Sequence, residues 1–426
     1  MTRIAILADD LTGAADAGAC FAQAGLATLV ALDSAAKRPG CDVLVLSTES
    51  RHLAQDEAVA CTQQVAAQVR RQCGESDTNW IYKKIDSTLR GHPEAELAML
   101  MHALGLERAL VAPAFPAQGR TTIGGRQHVD GAPLERTPFG GQVSSSDLLE
   151  LFDVRAGSPP ACLIDLKTVR CGPHAVSGLL AGLDPAICVA DAETDADLAT
   201  LAVAALACHT RLLCGSAGLA RALAGVLPSS AGRQGGRGLP ALGPPAASRH
   251  AGPILVVAGS RHARTVRQVE LAGQRGAAVV RPAPALLDGD AAAMGRTAQA
   301  VASWLAAGRN VVLTTTGLAD SPSGPQAVAA CLAQVTCRLV AGGYVAGLIL
   351  TGGDVAGAVC AALGASALCL QGEVGPGVAW GFIVDGRLPG LPFVTKAGGF
   401  GAEDTLAAAI EHLATVQARP PTKEDS

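Results

Sequence analysis

The sequence is short of the features that define several large classes of protein. Aromatic residues make up only 3% of its 426 residues, and the formal net charge is −4. It therefore has neither the stacking side chains nor the positive field of a nucleic-acid-binding protein. No run of 18 apolar residues predicts a membrane span, and the first apolar run, residues 4–8, is too short for a signal peptide. We expect a cytoplasmic protein whose partners are small molecules.

Several catalytic and metal-binding motifs are also missing. The 13 cysteines include no C-x-x-C pair, which argues against a disulfide framework and a tetrahedral zinc site. No G-x-x-x-x-G-K-[ST] and no G-x-G-x-x-G occurs, so neither a P-loop nor a dinucleotide fingerprint is predicted. No H-E-x-x-H is present, and Ser216 lacks the G-x-S-x-G pattern of a hydrolase nucleophile. Ser216 is interpreted as the start of a helix.

Short apolar runs alternate with helical stretches along almost the whole chain. This pattern predicts an α/β protein of two domains, each with a mostly parallel sheet flanked by helices. Residues 228–253 are instead rich in Ser, Gly, Arg and Pro with almost no apolar periodicity, as in an interdomain linker. We predict a first domain over residues 1–234, a linker over 235–252, a second domain over 253–417 and a frayed tail over 418–426.

A dense group of polar side chains follows the predicted strand that begins at Trp80. The group contains three cations, a carboxylate and hydroxyls, which are Lys83, Lys84, Arg90, Asp86, Ser87 and Thr88. Open α/β sheets bind ligands at the carboxyl ends of their strands. A solvated turn is the alternative, but such turns usually contain more Gly, Asn and Pro. We favour a site that binds an anion through the cations and hydroxyl groups through Asp86.

Other polar segments of the first half follow strands too. Asp9 and Asp10 stand between the first strand and the first helix, and Arg51 ends a segment after the third strand. One aspartate suffices to cap the helix, so the other is free for function. The Pro- and Gly-rich segment 113–126, which contains Arg120, is predicted as a long ordered loop or hairpin. Together these segments predict one pocket for a small hydroxylated carboxylic acid.

Glycine-rich turns characterise the second half. They span residues 258–262, 351–357, 373–377 and 396–401. Glycines between a strand and a helix let the backbone approach a phosphate closely, and Lys396 adds positive charge. Any one of these turns alone is more often a simple tight turn, but four in one half favour a nucleotide-binding domain.

In their order along the chain, these motifs resemble the four-carbon acid sugar kinases. The resemblance rests on residues 8–16, 47–51, 83–91, 113–116 with 119–121, 215–218, 259–260, 352–354 and 396–401. It implies a kinase that transfers the γ-phosphoryl group of ATP to the 4-hydroxyl of a tetronic acid. D-threonate or D-erythronate is the favoured substrate and 3-oxo-tetronate the next. It also implies that the first domain holds the acid, that the second holds the nucleotide, and that the active site lies in the cleft between them.

The resemblance and the demands of phosphoryl transfer suggest roles for individual residues. Either Asp10 or Asp86 deprotonates the attacking hydroxyl, with Asp10 slightly ahead, and Lys84 is the third catalytic residue. The predicted acid-binding residues are Asp9, Arg51, Lys83, Ser87, Arg90 and Arg120. The predicted ATP-binding residues are Ser260, Gly352, Gly353, Asp354, Val355, Lys396, Gly398 and Gly399. Mg²⁺ is expected to arrive with ATP rather than in a protein cage.

One segment departs from the family pattern. Where the family has Gly-Gly-Glu-Thr, this chain has Gly-Gly-Asp-Val at residues 352–355. The turn therefore lacks a hydroxyl, and its carboxylate is one methylene shorter. The backbone amide groups of this turn are still expected to bind the phosphates of ATP.

Two other functional classes remain open to the sequence. The first is a non-enzymatic sensor of a sugar acid, and the second is an NAD-dependent sugar-acid dehydrogenase. The sequence contains no module for binding DNA or a protein partner, which a sensor would need, and no dinucleotide-binding fingerprint, which the dehydrogenase would need. A homodimer is expected on base rates for an enzyme of this size.

Overall fold

The computed structural model describes residues 3–33, 40–73, 80–143, 145–153, 159–183, 186–227, 251–318 and 324–418. The chain divides into two compact units, Met1–Leu239 and Pro240–Ser426. Most of the predicted linker and nearly all of the predicted tail fall outside the described residues, so the predicted domain bounds stay a prediction. No helix in the described ranges is long and apolar enough to cross a membrane.

The first unit is built on a parallel sheet. Its elements up to the middle of the unit are β1 (Ile4–Ala8), α1 (Leu11–Gln23), β2 (Thr28–Ala31), β3 (Val43–Ser47), α2 (Gln55–Cys73), β4 (Trp80–Lys84), α3 (Pro93–Leu104) and β5 (Arg108–Ala112). Then come β6 (Arg120–Ile123), β7 (Arg126–Val129), β8 (Ala132–Pro133), α4 (Leu148–Phe152), β9 (Ala161–Ile164), α5 (Leu166–Arg170), α6 (Pro173–Gly182), β10 (Ala186–Ala190), α7 (Asp195–Ala207), β11 (Leu212–Gly215) and α8 (Ala217–Val226). The order across the sheet is β2-β3-β1-β4-β11-β5-β10-β9, and each neighbouring pair is parallel.

The first strand, at the centre of this sheet, is apolar throughout. All five residues of β1 are buried, as expected for a strand inside a parallel sheet. Polar side chains cap the helices that follow the strands. Asp10 accepts a hydrogen bond from the Gly13 amide at the start of α1, and Ser216 accepts one from the Gly218 amide at the start of α8. The predicted helix start at Ser216 is confirmed.

The segment after β5 folds as an antiparallel hairpin, which confirms one of the two predicted forms. β6 pairs with β7, and β7 pairs with β8. Asp191, which follows β10, holds the tip of the hairpin. Its carboxylate accepts hydrogen bonds from the amides of Gly124 and Gly125, both at 2.9 Å, and from the amide of Leu166 at 3.1 Å. The hairpin is therefore anchored to the edge of the parallel sheet.

The second unit also combines a parallel sheet with helices. Its elements are β12 (Ile254–Ala258), α9 (Ala263–Gln274), β13 (Ala278–Val280), α10 (Pro284–Leu287), α11 (Ala291–Ala306), β14 (Val311–Thr314), α12 (Gly324–Ala341), β15 (Gly347–Thr351), α13 (Gly353–Leu363), β16 (Ala367–Gly375), β17 (Val378–Ile383), β18 (Pro392–Lys396) and α14 (Thr405–Ala418). The strand order is β13-β14-β12-β15-β18-β17-β16. The pairs from β13 to β18 are parallel and the last two are antiparallel. The predicted α/β class is confirmed.

Candidate active site

Polar segments of the first unit meet because their strands are neighbours in register. Ala8 pairs with Ser47 of β3 on one side and with Lys84 of β4 on the other. The residues that follow these three strand ends therefore emerge together at the carboxyl edge of the sheet. This places Asp9 and Asp10, the loop up to Arg51, and the loop from Asp86 to Arg90 in one region, as the sequence predicts.

Arg51 joins the two aspartates that follow β1. Its Nε and Nη2 donate to the two carboxylate oxygens of Asp9, each at 2.8 Å, and its Nη1 pairs with Asp10. The other oxygen of Asp10 accepts from the Gly13 amide at 2.7 Å. Burial alone would raise the pKa of Asp9, but the guanidinium outweighs it and lowers that pKa below its ordinary value. Both carboxylates are thus held in fixed orientations.

Asp86 is held in the same way by Arg90. The Arg90 guanidinium donates to both carboxylate oxygens, at 2.7 and 3.1 Å, and the Thr88 hydroxyl donates to one of them. Burial favours the neutral acid, but Arg90 and then Arg51 hold the pKa of Asp86 well below its usual range. The Arg90 side chain keeps 31% of its surface exposed, so part of this cation is accessible to a ligand.

Lys84 is a buried cation without a carboxylate partner among the described residues. Its side chain belongs to a residue only 4% exposed, and its ammonium donates to the Ile85 carbonyl oxygen at 2.8 Å. It lies beside the first turn of α1, where a Cβ on Gly13 would approach Lys84 Nζ to 3.3 Å and Asp10 Oδ1 to 2.6 Å. Glycine at position 13 therefore makes room for this ammonium. Its charge interacts with that of Asp9, but a buried ammonium without an ion pair still favours an anion next to it.

Lys83, the neighbouring lysine, forms an ion pair beneath this surface. Its ammonium pairs with Glu96 of α3, and neither side chain has more than 1% of its surface exposed. Glu96 also accepts from the Ser50 hydroxyl, one residue before Arg51. The pair links β4, α3 and the loop that carries Arg51. Sequence reasoning missed Glu96, because a glutamate in the first turn of a helix usually indicates a solvated residue.

A hydrogen-bond chain connects the hairpin to the loop after β4. The Gln127 side-chain amide donates to the Ser87 carbonyl oxygen at 2.7 Å and accepts from the Thr122 hydroxyl at 2.7 Å. The Ser87 hydroxyl itself is buried and has no hydrogen-bond partner in the described part of the chain. Arg120, on the first strand of the hairpin, is only 8% exposed and donates to the Gln118 carbonyl oxygen. Apart from its position in a polar strand, nothing in the sequence identified Gln127 as a site residue.

Glu49 is a second carboxylate that the predicted site residues omitted, although it lies in the segment from Ser47 to Arg51. Its backbone adopts φ 48°, in the left-handed region. The side chain is exposed to solvent, yet neighbouring protein atoms desolvate the carboxylate and raise its pKa to about 7. The Ser47 hydroxyl bond opposes this rise, and the negative charge of Asp10 adds to it.

The second unit contains a cavity of about 480 Å³ at the ends of its central strands. Ala258 of β12 pairs with Thr351 of β15, which pairs in turn with Lys396 of β18. The cavity is lined by Gly259, Ser260, Arg261, Gly324, Pro325, Val328, Ala329, Thr351, Gly352, Asp354 and Val355. Residues from the starts of α12 and α13 contribute to this lining, and helix N-termini favour anions. Four of the predicted ATP-binding residues are among its walls.

The structure explains the departure of residues 354 and 355 from the family pattern. Val355 is 4% exposed, and a Cβ on Gly259 would lie 2.5 Å from Val355 Cγ2. Val355 therefore packs on the Gly259 backbone and fills part of the cavity wall. Asp354 is exposed in the first turn of α13, where a carboxylate is favoured by the helix dipole.

Lys396 and the loop after it adjoin this cavity. The Gly352 amide donates to the Lys396 carbonyl oxygen at 2.9 Å. A side chain on Gly398 would overlap Ser260 Oγ, and one on Gly399 would lie 3.3 Å from His262 Nε2. Lys396 is 1% exposed and forms no ion pair within the described ranges. Burial, together with the nearby positive charge of Arg264, lowers the pKa of Lys396 to about 7.

Comparisons with known proteins agree with this division of the site. A sugar-binding N-terminal domain matches residues 4–223, and a nucleotide-binding C-terminal domain matches residues 255–406. The D-threonate kinase of Salmonella typhimurium is 35% identical over 96% of this chain and 98% of its own. The D-threonate kinase of Cupriavidus necator is 37% identical over 94% and 95%, and the D-erythronate kinase of Heliobacterium modesticaldum is 32% identical over 97% and 98%.

A solved structure resembles the fold of the whole chain. This Salmonella typhimurium protein, described as a tRNA synthase, gives a TM-score of 0.79 over 97% of this chain and 100% of its own, at 22% identity. Such a likeness concerns the fold alone. The family models and the nearly full-length relatives decide the assignment, and the chain belongs to the four-carbon acid sugar kinase family.

Proposed function

We propose that this protein transfers the γ-phosphoryl group of ATP to the 4-hydroxyl of D-threonate, with D-erythronate the next candidate and 3-oxo-tetronate the third. Two D-threonate kinases at 35% and 37% identity support this order. The structural observation that carries the proposal is Lys84, a buried ammonium beside the first turn of α1 that forms no ion pair with a described carboxylate. A transferring phosphoryl group and a sugar-acid carboxylate are both anions that this position would stabilise.

The sugar acid binds at the carboxyl edge of the first sheet in this proposal. The accessible part of Arg90 and the Ser87 hydroxyl, which has no partner among the described residues, take the substrate carboxylate. Asp9 and Asp86 accept hydrogen bonds from the hydroxyl groups of the substrate. Arg51 keeps Asp9 and Asp10 oriented. Arg120, on the first strand of the hairpin, closes the pocket on that side. The buried Lys83–Glu96 pair supports the loop that carries Arg51 and acts on the substrate only through it.

The chemistry needs one proton acceptor and strong neutralisation of charge. Asp10 accepts the proton of the 4-hydroxyl as that oxygen bonds to the γ-phosphorus and the bond from phosphorus to the β–γ bridging oxygen breaks, which releases ADP. Asp86 orients the hydroxyl, because its two bonds to Arg90 make it a weak base. Lys84 stabilises the negative charge on the transferring group.

The nucleotide is assigned to the cavity of the second unit. Ser260 and the amides around Gly352 and Gly353 lie at one side, with Val355 in the wall and Asp354 at the rim. Lys396, Gly398 and Gly399 supply a charge and amides to the phosphates. Mg²⁺ bound with ATP would neutralise phosphate charge, and Asp354 is the carboxylate available to it on the cavity wall. The sequence predicts that the two substrates meet in a cleft between the domains.

A coupled ADP-release assay with D-threonate, D-erythronate, L-threonate and 3-oxo-tetronate tests this function. We expect ATP-dependent ADP release with D-threonate as the preferred acid and a 4-phosphorylated product by ³¹P NMR. Binding of an acid without ADP release would favour the sensor, and reduction of NAD would favour the dehydrogenase. No observation in the structure favours either rival. The homodimer and the cytoplasmic location stay predictions, and mass photometry would test the first.

A further inference from the structure

One face of α9 binds the backbone carbonyl groups of the glycine-rich loop at residues 397–402. The Thr265 hydroxyl donates to the Gly398 carbonyl oxygen at 2.7 Å. The Gln268 side-chain amide donates to the carbonyl oxygens of Phe400 at 3.1 Å and Ala402 at 2.7 Å. Arg264 adds a longer bond of 3.3 Å to the Gly401 carbonyl oxygen. The carbonyl groups of residues 398, 400, 401 and 402 therefore all accept hydrogen bonds from α9.

Two amide groups of the same loop are left available. Within the described residues, the amides of Gly398 and Gly399 donate no hydrogen bond, and Lys396 places its ammonium 3.2 Å from the Gly398 carbonyl oxygen. Carbonyl oxygens carry partial negative charge and repel phosphate, whereas amide groups attract it. A loop whose carbonyl groups are engaged on one side presents the positive ends of its peptide dipoles on the other.

Gln268 has a single orientation that fits these contacts. Residue 268 is fully buried, and its side-chain oxygen has no hydrogen-bond partner in the described chain. Rotation of the amide by half a turn would set that oxygen against two carbonyl oxygens, which is repulsive. The two donor bonds are therefore the reason for glutamine at this position. They also restrain a glycine-rich segment that would lose much conformational entropy on ordering.

We propose that Thr265 and Gln268 are positioning residues for the nucleotide: they hold the loop at residues 397–402 with its carbonyl groups toward α9 and its amide groups toward the phosphates. This inference rests on the proposed function, because it requires ATP to be the ligand of the second unit. Neither residue touches the phosphates in this arrangement. Their effect should therefore depend on the phosphates and be absent for the nucleoside.

Calorimetric titration of the full-length Gln268→Met variant with ATP and with adenosine tests the proposal. Methionine has a similar length but no donor, so two hydrogen bonds are lost. We expect about tenfold weaker ATP binding and unchanged adenosine binding. In steady-state kinetics the KM for ATP should rise while the KM for D-threonate stays unchanged. Gln274→Met is the matched control, because Gln274 is exposed at the end of the same helix.

Thr265 provides a second test that does not depend on the folding of the first variant. Thr265→Val should weaken ATP binding severalfold, and Thr265→Ser, which keeps the hydroxyl, should restore it. Equal losses for ATP and adenosine would overturn the proposal, as would a folded Gln268→Met variant with unchanged ATP affinity. If the wild-type protein binds no ATP, the proposed function fails together with this inference. If it binds ATP and both donor-deleting variants match it, only this inference fails.

Discussion

The two units differ in whether the charged side chains at their strand ends form ion pairs. In the first unit, the polar residues at the strand ends are mostly paired with each other: Arg51 with Asp9 and Asp10, and Arg90 with Asp86. In the second unit, the glycines at residues 259, 324 and 352 contribute to the corresponding edge, and Lys396 is a buried lysine without an ion pair among the described residues. A small sugar acid offers several hydroxyl groups and needs directional side-chain partners. Phosphates are recognised by peptide dipoles if the backbone can approach them.

Preformed ion pairs have a clear consequence for catalysis. Side chains already oriented by their partners need little reorganisation when charge develops in the substrate. Lys84 is the exception in the first unit, as Lys396 is in the second, because each ammonium lacks a carboxylate partner among the described residues. The comparison therefore predicts that these two lysines stabilise the negative charge of ligands, while the paired residues, including Asp10 and Arg90, act from orientations that their partners fix.

Substitution of Asp10 should have the largest effect on activity. Asparagine caps helices as well as aspartate does, so Asp10→Asn should leave α1 intact while it removes the base. We expect kcat at saturating substrate to fall about 10²- to 10⁴-fold. Asp86→Asn should act mainly on the KM for the sugar acid. Near-normal turnover of Asp10→Asn would remove this assignment.

Breaking a buried pair in the first unit should cost stability. Glu96→Ala leaves the Lys83 ammonium buried without its partner, at a cost of about 3–5 kcal/mol in the free energy of unfolding. Lys396→Met removes an ammonium whose described partner is the Gly398 carbonyl oxygen rather than a carboxylate, so it should destabilise the second unit much less. Urea titrations of both variants test this contrast. Equal destabilisation by the two substitutions would contradict it.

Removal of the Lys84 charge should reduce the rate more than the stability. We expect Lys84→Met to lower kcat about 10²- to 10³-fold, with a melting temperature no lower than that of the wild type. Lys167→Met is the matched control in the same unit, because Lys167 is exposed on α5, and it should leave kcat unchanged. A Lys84→Met variant that turns over at the wild-type rate would show that this ammonium is only structural.

The smallest effect concerns the pH dependence of nucleotide binding. Because burial lowers the pKa of Lys396 to about 7, the free protein loses this charge as pH rises through 7. ATP binding should then require uptake of a proton, and its affinity should fall by at most about tenfold per pH unit. Titrations in buffers of different ionisation enthalpy measure this uptake. Lys396→Arg should bind ATP with little pH dependence.

The free energy of unfolding should also depend on the ionisation of Lys396, but it should rise with pH over the range in which ATP affinity falls. Between pH 7 and about 10, the unfolded chain binds the proton of Lys396 more tightly than the folded protein. The free energy of unfolding should therefore gain up to about 1.4 kcal/mol per pH unit from this residue as pH rises. The gain should be absent in Lys396→Met. A wild-type profile that parallels the variant would mean that Lys396 keeps its charge when folded.

Local patterns predicted the secondary structure closely. The sequence predicts β12 and α11 with the bounds that the structure shows, Ile254–Ala258 and Ala291–Ala306, because apolar periodicity reports burial directly. Residues that act through distant contacts escaped prediction. Glu96, Gln127, Asp191 and Gln268 lie in ordinary polar positions of helices, strands or turns, and each gains its role from a partner far along the chain.

The sequence by itself determined the α/β class, the strand ends that carry charge and the turns that carry glycine, since these depend on residue type and local spacing. Only the tertiary structure decided which charges pair. Arg51 reaches Asp9 across 42 residues and Ser50 reaches Glu96 across 46, because the strand order brings their loops together. Ion pairing depends on distances of a few ångströms. Lys83 and Lys84 are adjacent in sequence, yet alternation along β4 pairs one with Glu96 and leaves the other beside α1.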